Sequence, residues 1–271
     1  MTSDSKIPIE IDIKTENFFK RKNLSVFYNG IMRQNNANDK ETPYLKLNKH
    51  DQEQVKSFCK TQFESKSPSS YFTCLRSKSE KIEHKKIDKN IFVVLDTIEN
   101  KIYGILSNNI DGSLDSLKNL FRLDDKGLEI SDTDFSNKKL SQLCTLVKKY
   151  ILTSMDGLFS NLVSKKLLRN FRYNKLKYAI LLSYIPFILS EEESRLLTRL
   201  LEIFHLIDKN KEYTHMTMSG LLRLFSLVLF DSKCFTSLDM LHDVESVLVD
   251  ISRLDFQKIP KTMIKKVYKF V

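Results

Sequence analysis

From about Asn90 to Ser252 the chain reads as one helical stretch after another, with very little to interrupt them. "NIFVVLDTIEN" is an apolar helix that must be largely buried. "SLDSLKNLFRL" sets Leu114, Leu117, Leu120 and Phe121 on one stripe, with Ser113 placed to cap it. "KKLSQLCTLVKKYIL" puts Leu140, Leu143, Val147, Tyr150 and Ile151 on one face. "GLFSNLVSKKLLRNF" and the apolar run Tyr178–Leu189 follow. "LSEEESRLLTRLLEIFHLI" opens with Ser190 three residues before Glu193, the spacing of a capping box, and its first-turn acids suit the helix dipole. "THMTMSGLLRLFSLVLF" and "SLDMLHDVESVLVDIS" complete the series. About seven or more helices joined by short loops predict an all-α fold, a bundle of antiparallel helices. No segment recurs at a fixed length, which excludes a solenoid. Six glycines, five prolines and no tryptophan agree with helices rather than a sandwich or barrel.

The first 70 residues read as an extension. Ile9, Ile11 and Ile13 alternate with polar residues, as in a short strand. "KHDQEQVKSFCKTQF" reads as one helix, and "ESKSPSS" as a linker. The expected organisation is an extension over 1–70, a helical domain over 71–255, and a basic tail or helix over 256–271.

The net charge of +10 favours an acidic partner. Clusters such as Lys20-Arg21-Lys22 are short and interspersed with acids, and no nucleic-acid-binding signature is present, so nucleic acid is not expected. Cys59, Cys74, Cys144 and Cys234 are far apart and read as buried free thiols of a reducing compartment. "MTSDSKIPIEIDIK" is neither a signal nor a transit peptide, and the longest apolar run is too short to span a bilayer. A cytoplasmic protein is expected, at the membrane periphery or cell cortex if it docks there. No phosphate-binding glycine loop, HExxH or paired His-carboxylate spacing occurs, and His205 and His215 read as lone residues of a connection between helices. Neither metal nor cofactor is expected. In the C-terminal "IPKTMIKKVYKFV", Lys261, Lys265, Lys266 and Lys269 interleave with apolar residues. Such a segment could lie on anionic lipid or an acidic partner, or pack as a last helix.

Between the first two helical stretches lies "KIYGILSNNIDGSL", read as a glycine-bracketed polar loop. Taken in order, four segments resemble the Rho GTPase-activating (RhoGAP) domain, over roughly Tyr71 to Phe230. "YGILSNNIDGSLDSLKNLF" stands where that family has G-I-F-R-x-S-G-S followed by I-x-x-L-x-x-x-F, with Leu114, Leu117 and Phe121 keeping the spacing. "LVKKYILTSMDGL" is similar to L-L-K-x-F-L-R-E-L-P-E-P-L, matching at Lys148, Tyr150 and Leu158. "LSEEESRLLTRLLEIF" fits the helix beginning L-P-x-x-N. "HMTMSGLLRLFSLVL" is similar to K-M-T-x-x-N-L-A-x-x-F-G-P-x-L, matching at Met216, Thr217, Leu221 and Phe225.

The resemblance implies a RhoGAP-like multi-helix bundle and a Rho-family small GTPase as partner. It also implies that the glycine loop would deliver an arginine finger to the GTPase. Here the arginine position holds Leu106, with Ser107 or Ile105 one residue away. The family asparagine that contacts the GTPase is Gly220, and the L-P-x-x-N asparagine falls on Glu193. What matches is mostly core-type leucines and aromatics, plus Lys148, which in the family supports the finger loop and faces the GTPase. Read from its helix alone, Lys148 is equally a solvated lysine.

The expectation is therefore a protein without a catalytic residue, a pseudo-GAP that binds a GTPase or serves as a scaffold for other protein partners. Its partner-binding residues would be Leu106, Ser107, Asn108, Asn109, Lys148 and Gly220. Two alternatives stand beside it: a working GAP whose arginine comes from elsewhere, with Arg76 and Arg122 nearest, and the basic helical module already described. Abundant Lys, Asn and Ser with little Gly fit an AT-rich, fungal-type genome.

Overall fold

The computed structural model describes residues 42–44, 47–64, 80–108, 114–122, 128–132, 134–235, 239–256, 258–259, 263 and 267. The chain divides into two compact units, Leu47–Gln257 and a smaller one made of Met1–Lys46 with Lys258–Val271. In the smaller unit β1 (Thr42–Pro43) pairs antiparallel with β2 (Lys258–Ile259), Thr42 opposite Ile259. Met263 and Val267 have helical backbone and are buried. Lys261, Lys265, Lys266 and Lys269, like the expected strand at Ile9–Ile13 and the linker after Glu64, lie outside the described residues.

Among the described residues of the larger unit every named element is a helix or a helical turn, with one isolated bridge between Phe159 and Phe230. Its helices are α1 (Lys49–Glu64), α2 (Asn90–Asn108), α3 (Leu140–Lys149), α4 (Asn161–Tyr173), α5 (Lys175–Ile188), α6 (Glu191–Lys209), the single turn α7 (Lys211–Thr214), α8 (Met218–Leu229) and α9 (Asp239–Ile251). α1, assigned above to the extension, belongs to this unit. Its Val55, Phe58, Cys59 and Phe63 are buried, and it packs on α4 and α5. α2 packs on α3 and α6, α6 on α8, and α9 on α4, α5 and α8.

The bundle follows from spacing. In α2, Ile91, Val94, Leu95, Ile98 and Ile102 recur every three or four residues and are fully buried. The opposite faces are joined by charge. The Arg199 guanidinium of α6 reaches Asp96 at 2.7 Å and Glu99 at 2.6 Å on α2, and Glu202 at 2.5 Å on its own helix. Arg195, one turn earlier, lies 4.2 Å over the Phe92 ring. Three carboxylates around one guanidinium raise its pKa further.

Two readings of the sequence change here. First, α2 does not end before the glycine loop. It continues as helix through Asn108, so Gly104, Ile105, Leu106 and Ser107 are helical. Burial of Ile98 and Ile102 carries the helix on, and Gly104 sits within it at ordinary helical cost. Second, "SLDSLKNLFRL" is not an α-helix. It forms a 3-10 turn at Leu114–Leu117, then tight turns through Arg122. Most of the expected stripe is buried all the same: Leu117, Leu120 and Phe121 are at most 1% exposed, while Leu114 is half-buried. His205 also differs from expectation, standing on the exposed face of α6 rather than in a connection.

The capping box at α6 forms as expected. The Glu193 backbone N–H donates to Ser190 Oγ at 3.2 Å, and the Ser190 N–H donates to Glu193 Oε2 at 2.7 Å. The carboxylate then goes beyond the cap. It accepts the Lys85 N–H at 2.6 Å on Oε1 and meets His84 Nδ1 at 2.9 Å on Oε2, which ties the 80–89 segment to the start of α6. Glu193 is only 2% exposed. A buried carboxylate is tolerable where each lone pair has a donor.

A second closure joins α3 to α8. After α3 the chain makes a π-helical turn (Tyr150–Ser154), then a left-handed pair, Asp156 (φ 51°) and Gly157 (φ 83°). That turn brings Leu158 and Phe159 alongside the end of α8, where both N–H groups donate to the Leu229 carbonyl at 2.8 and 2.9 Å. A Cβ on Gly157 would meet the Phe230 carbonyl carbon at 2.7 Å. Cys59, Cys144 and Cys234 are buried free thiols, and burial pushes each one's pKa up, Cys234 to about 11.

Three outcomes follow for stability. Gly157→Ala should destabilise by at least about 1–3 kcal/mol, through strained backbone and a blocked approach. Gly104→Ala should stabilise by about 0.5–1 kcal/mol, because the glycine is helical and nothing lies within 4 Å of the new Cβ. Glu193→Ala should cost more than Ser190→Ala, about 2–4 against about 1 kcal/mol, since it removes both the cap and the tether to residues 84 and 85. Chemical denaturation of the four variants beside the parent chain gives each number.

Candidate functional site

The most strained described backbone in the larger unit lies at Asn119–Arg122. Asn119 has φ 56° and Phe121 φ 64°. Asparagine visits the left-handed region readily, whereas a bulky aromatic there is an outlier costing on the order of 1–3 kcal/mol. Something must hold it, and the structure supplies four restraints. The Phe121 ring is 1% exposed and packs edge-on against Phe204 (6.0 Å, 81°) and Phe225 (5.1 Å, 81°), which themselves meet at 4.8 Å. The Asn119 N–H donates to the Thr214 carbonyl at 3.0 Å. The Arg122 N–H donates to the Asn119 carbonyl at 3.1 Å. Lys148 Nζ donates to the Phe121 carbonyl at 3.1 Å. Aromatic burial and the pair geometry contribute several kcal/mol, enough to outweigh the strain.

Lys148 is thus neither wholly solvated nor free. It crosses from the last turn of α3 to the strained turn, half-buried, while its neighbour Lys149 is exposed. A charge-assisted hydrogen bond to a carbonyl is the stronger kind. Behind it Cys144 is fully buried, its raised thiol pKa offset in part by a hydrogen bond with the Phe121 backbone.

Gly220 stands in the first turn of α8, where its N–H donates to Oγ1 of the N-cap Thr217 at 3.2 Å. The Arg122 guanidinium reaches the same place. Its Nη2 lies 3.9 Å from where a Gly220 Cβ would be, and Nη1 is 3.4 Å from Asn119 Oδ1. Arg122 is exposed. It sits in a turn, not inside a helix as the periodicity implies.

The expected partner-binding residues therefore fall into two groups. Lys148 and Gly220 are brought together through Phe121 and Arg122. Leu106 and Ser107 lie at the end of α2, Leu106 half-buried and Ser107 exposed, with Asn108 closing the helix. Asn109 lies outside the described residues, as does Arg76. Arg122 is the residue that spacing under-weights: its proximity to Gly220 depends on a contact across 98 positions and on left-handed backbone. The one local hint is Asn119. Among the described residues no group of three or more His, Cys, Asp or Glu could hold a metal ion. No described helix is long and apolar enough to cross a membrane.

The larger unit is a helical bundle that presents cationic side chains beside the start of one helix. Residues 101–234 match the family model of the RhoGAP domain, a stretch that runs from the second half of α2 to Cys234. The stretch contains Leu106, Lys148, Gly220 and Arg122. Among solved structures, the chain is similar to the crystal structure of the BH domain from GRAF, the GTPase regulator associated with focal adhesion kinase. The identity is 11%, with 67% of this chain and 96% of that chain covered, at a TM-score of 0.45. Curated protein sequences contain no matching relative.

Lys148→Met should destabilise by about 1–3 kcal/mol, because it leaves the carbonyl of a strained residue without its donor. The loss should shrink to within about 1 kcal/mol in Lys148→Arg, which keeps a charged donor. Thermal denaturation followed by circular dichroism reads both.

Proposed function

We propose that this chain regulates a Rho-family small GTPase by binding it, without supplying a catalytic arginine from the helix end at Leu106. The observation that carries the reading is the RhoGAP match over residues 101–234, combined with what stands at the finger position. An arginine finger neutralises charge developing on the transferring phosphoryl group and is worth about 10³–10⁵ in rate. That is about 4–7 kcal/mol of transition-state stabilisation. Leu106 has no donor and no charge. Ser107 has a hydroxyl but no charge, and both belong to the last turns of α2. A binding surface needs shape and charge complementarity, not a finger, so the fold can keep its partner without the acceleration.

A second reading has the arginine arriving from another position. Arg122 supports it to the extent of being exposed on the same stretch. The basic C-terminal segment as a membrane anchor has less behind it, since Met263 and Val267, two of its apolar residues, are buried.

Binding of the purified chain to a panel of Rho-family GTPases, each loaded with GDP, a GTP analogue, or GDP with aluminium fluoride, separates these readings. Preference for the GTP analogue, with no gain from the fluoride complex, is the expected result. Single-turnover GTP hydrolysis should be accelerated by less than about tenfold, far short of a finger's contribution. Tight selection of the fluoride complex, or acceleration on the finger's scale, would give the second reading.

A further inference from the structure

We propose that Arg122 is the charged anchor of the partner-binding face, and that what it takes is a carboxylate side chain on the surface of the bound GTPase. The inference rests on the GTPase-binding reading above and names the residue and the chemistry through which that binding is specific.

Three observations carry it. First, the turn that presents Arg122 is over-determined. Phe121 is held left-handed by an aromatic cluster, by Lys148 and by the Asn119–Thr214 hydrogen bond. Strain retained in this way clusters at sites of recognition. Its product here is a fixed Cα position for an exposed arginine.

Second, that arginine has positive company and no described acid. Arg172, Arg199 and Arg223 each pair with carboxylates within the fold. Arg122 makes no ion pair with any described residue. Its polar partner among the described residues is the neutral amide of Asn119. It lies beside the first turn of α8, where the helix dipole is positive, and the next residue toward the core gives its carbonyl to the Lys148 ammonium. Asp124 and Asp125 lie outside the described residues; among the described ones no acid meets this cation, and in a chain of net charge +10 that setting favours an anion brought by a partner.

Third, the guanidinium lies along the protein's own surface. Nη1 is 3.4 Å from Asn119 Oδ1, and Nη2 stands beside Gly220, 3.9 Å from where a Cβ would be, an ordinary contact distance. An arginine that enters a partner's nucleotide pocket must project from its surface, whereas one lying flat presents its planar fork to a group on the facing protein. A carboxylate fits that fork with two parallel hydrogen bonds. The occupant is therefore a surface Asp or Glu of the GTPase, not the nucleotide's phosphoryl group.

The test uses the full chain, with Arg122→Ala and Arg122→Lys. Arg122 is exposed, so both variants should keep the parent melting temperature, which is checked first. Affinity for the GTPase found to bind is then measured with GTP analogue and with GDP–aluminium fluoride, at low and high salt. Arg122→Ala should weaken binding by at least about tenfold, as arginine anchors do. The loss should be equal in both nucleotide states and smaller at high salt. Arg122→Lys should recover part of it, because it restores charge but not the fork. Unchanged affinity in Arg122→Ala, while the parent chain binds, would overturn the anchor and leave the GTPase-binding reading standing. A loss confined to the fluoride complex would overturn the carboxylate and assign Arg122 to the phosphoryl group. If the parent chain binds no GTPase in any state, the underlying reading fails, and this one with it.

Discussion

One hydrogen bond, from the Lys148 ammonium to the carbonyl of Phe121, fastens the strained turn at Asn119–Arg122 to α3. It is made across 27 positions, between a half-buried lysine and a residue whose backbone would not choose its own conformation. Left-handed geometry turns the Phe121 ring inward, onto Phe204 of α6 and Phe225 of α8, while the next residue emerges at the surface. The contact thus converts core packing into the placement of Arg122. Without the ammonium, a strained carbonyl would lose its donor at the edge of the aromatic cluster that joins α6 to α8.

The rest of the larger unit supplies rigidity to that turn. α6 is tied at its start by Glu193 to residues 84 and 85, and along its length by Arg199 to α2. α8 is tied at its end to the Gly157 turn, through the Leu229 carbonyl. The strained turn packs on α6 and α8, and Lys148 reaches it from α3. Each of these ties is polar, and those of Glu193 and of Arg199 to Glu99 are partly buried, so they depend on all their partners being present.

Much of this architecture is written in residue spacing. The stripe of Ile91, Leu95, Ile98 and Ile102, the Ser190–Glu193 cap, the Thr217 cap and the helices over 140–251 all follow from local periodicity and side-chain chemistry. These are short-range effects, acting within four residues, and a single sequence displays them directly. The RhoGAP resemblance is of the same kind, since it rests on core leucines and aromatics at fixed separations. It fails where long-range contacts decide. The segment Lys101–Ser107 contains a glycine and polar residues and reads as a loop, yet burial of its inner face extends the helix. Leu117, Leu120 and Phe121 have helical spacing, yet three-dimensional packing buries them from a 3-10 turn and left-handed residues.

What the sequence determined by itself is an all-α chain with a defined set of core positions and no cation at Leu106. Hydrophobic burial is additive over spacing, and a missing side chain is missing in any fold. What the tertiary structure alone decided is the role of Lys148, the meeting of Arg122 with Gly220, and the reach of Glu193 to His84 and Lys85. Each of those joins residues tens of positions apart through single hydrogen bonds or close contacts. Such contacts depend on backbone angles and ångström-scale distances, which no periodicity encodes.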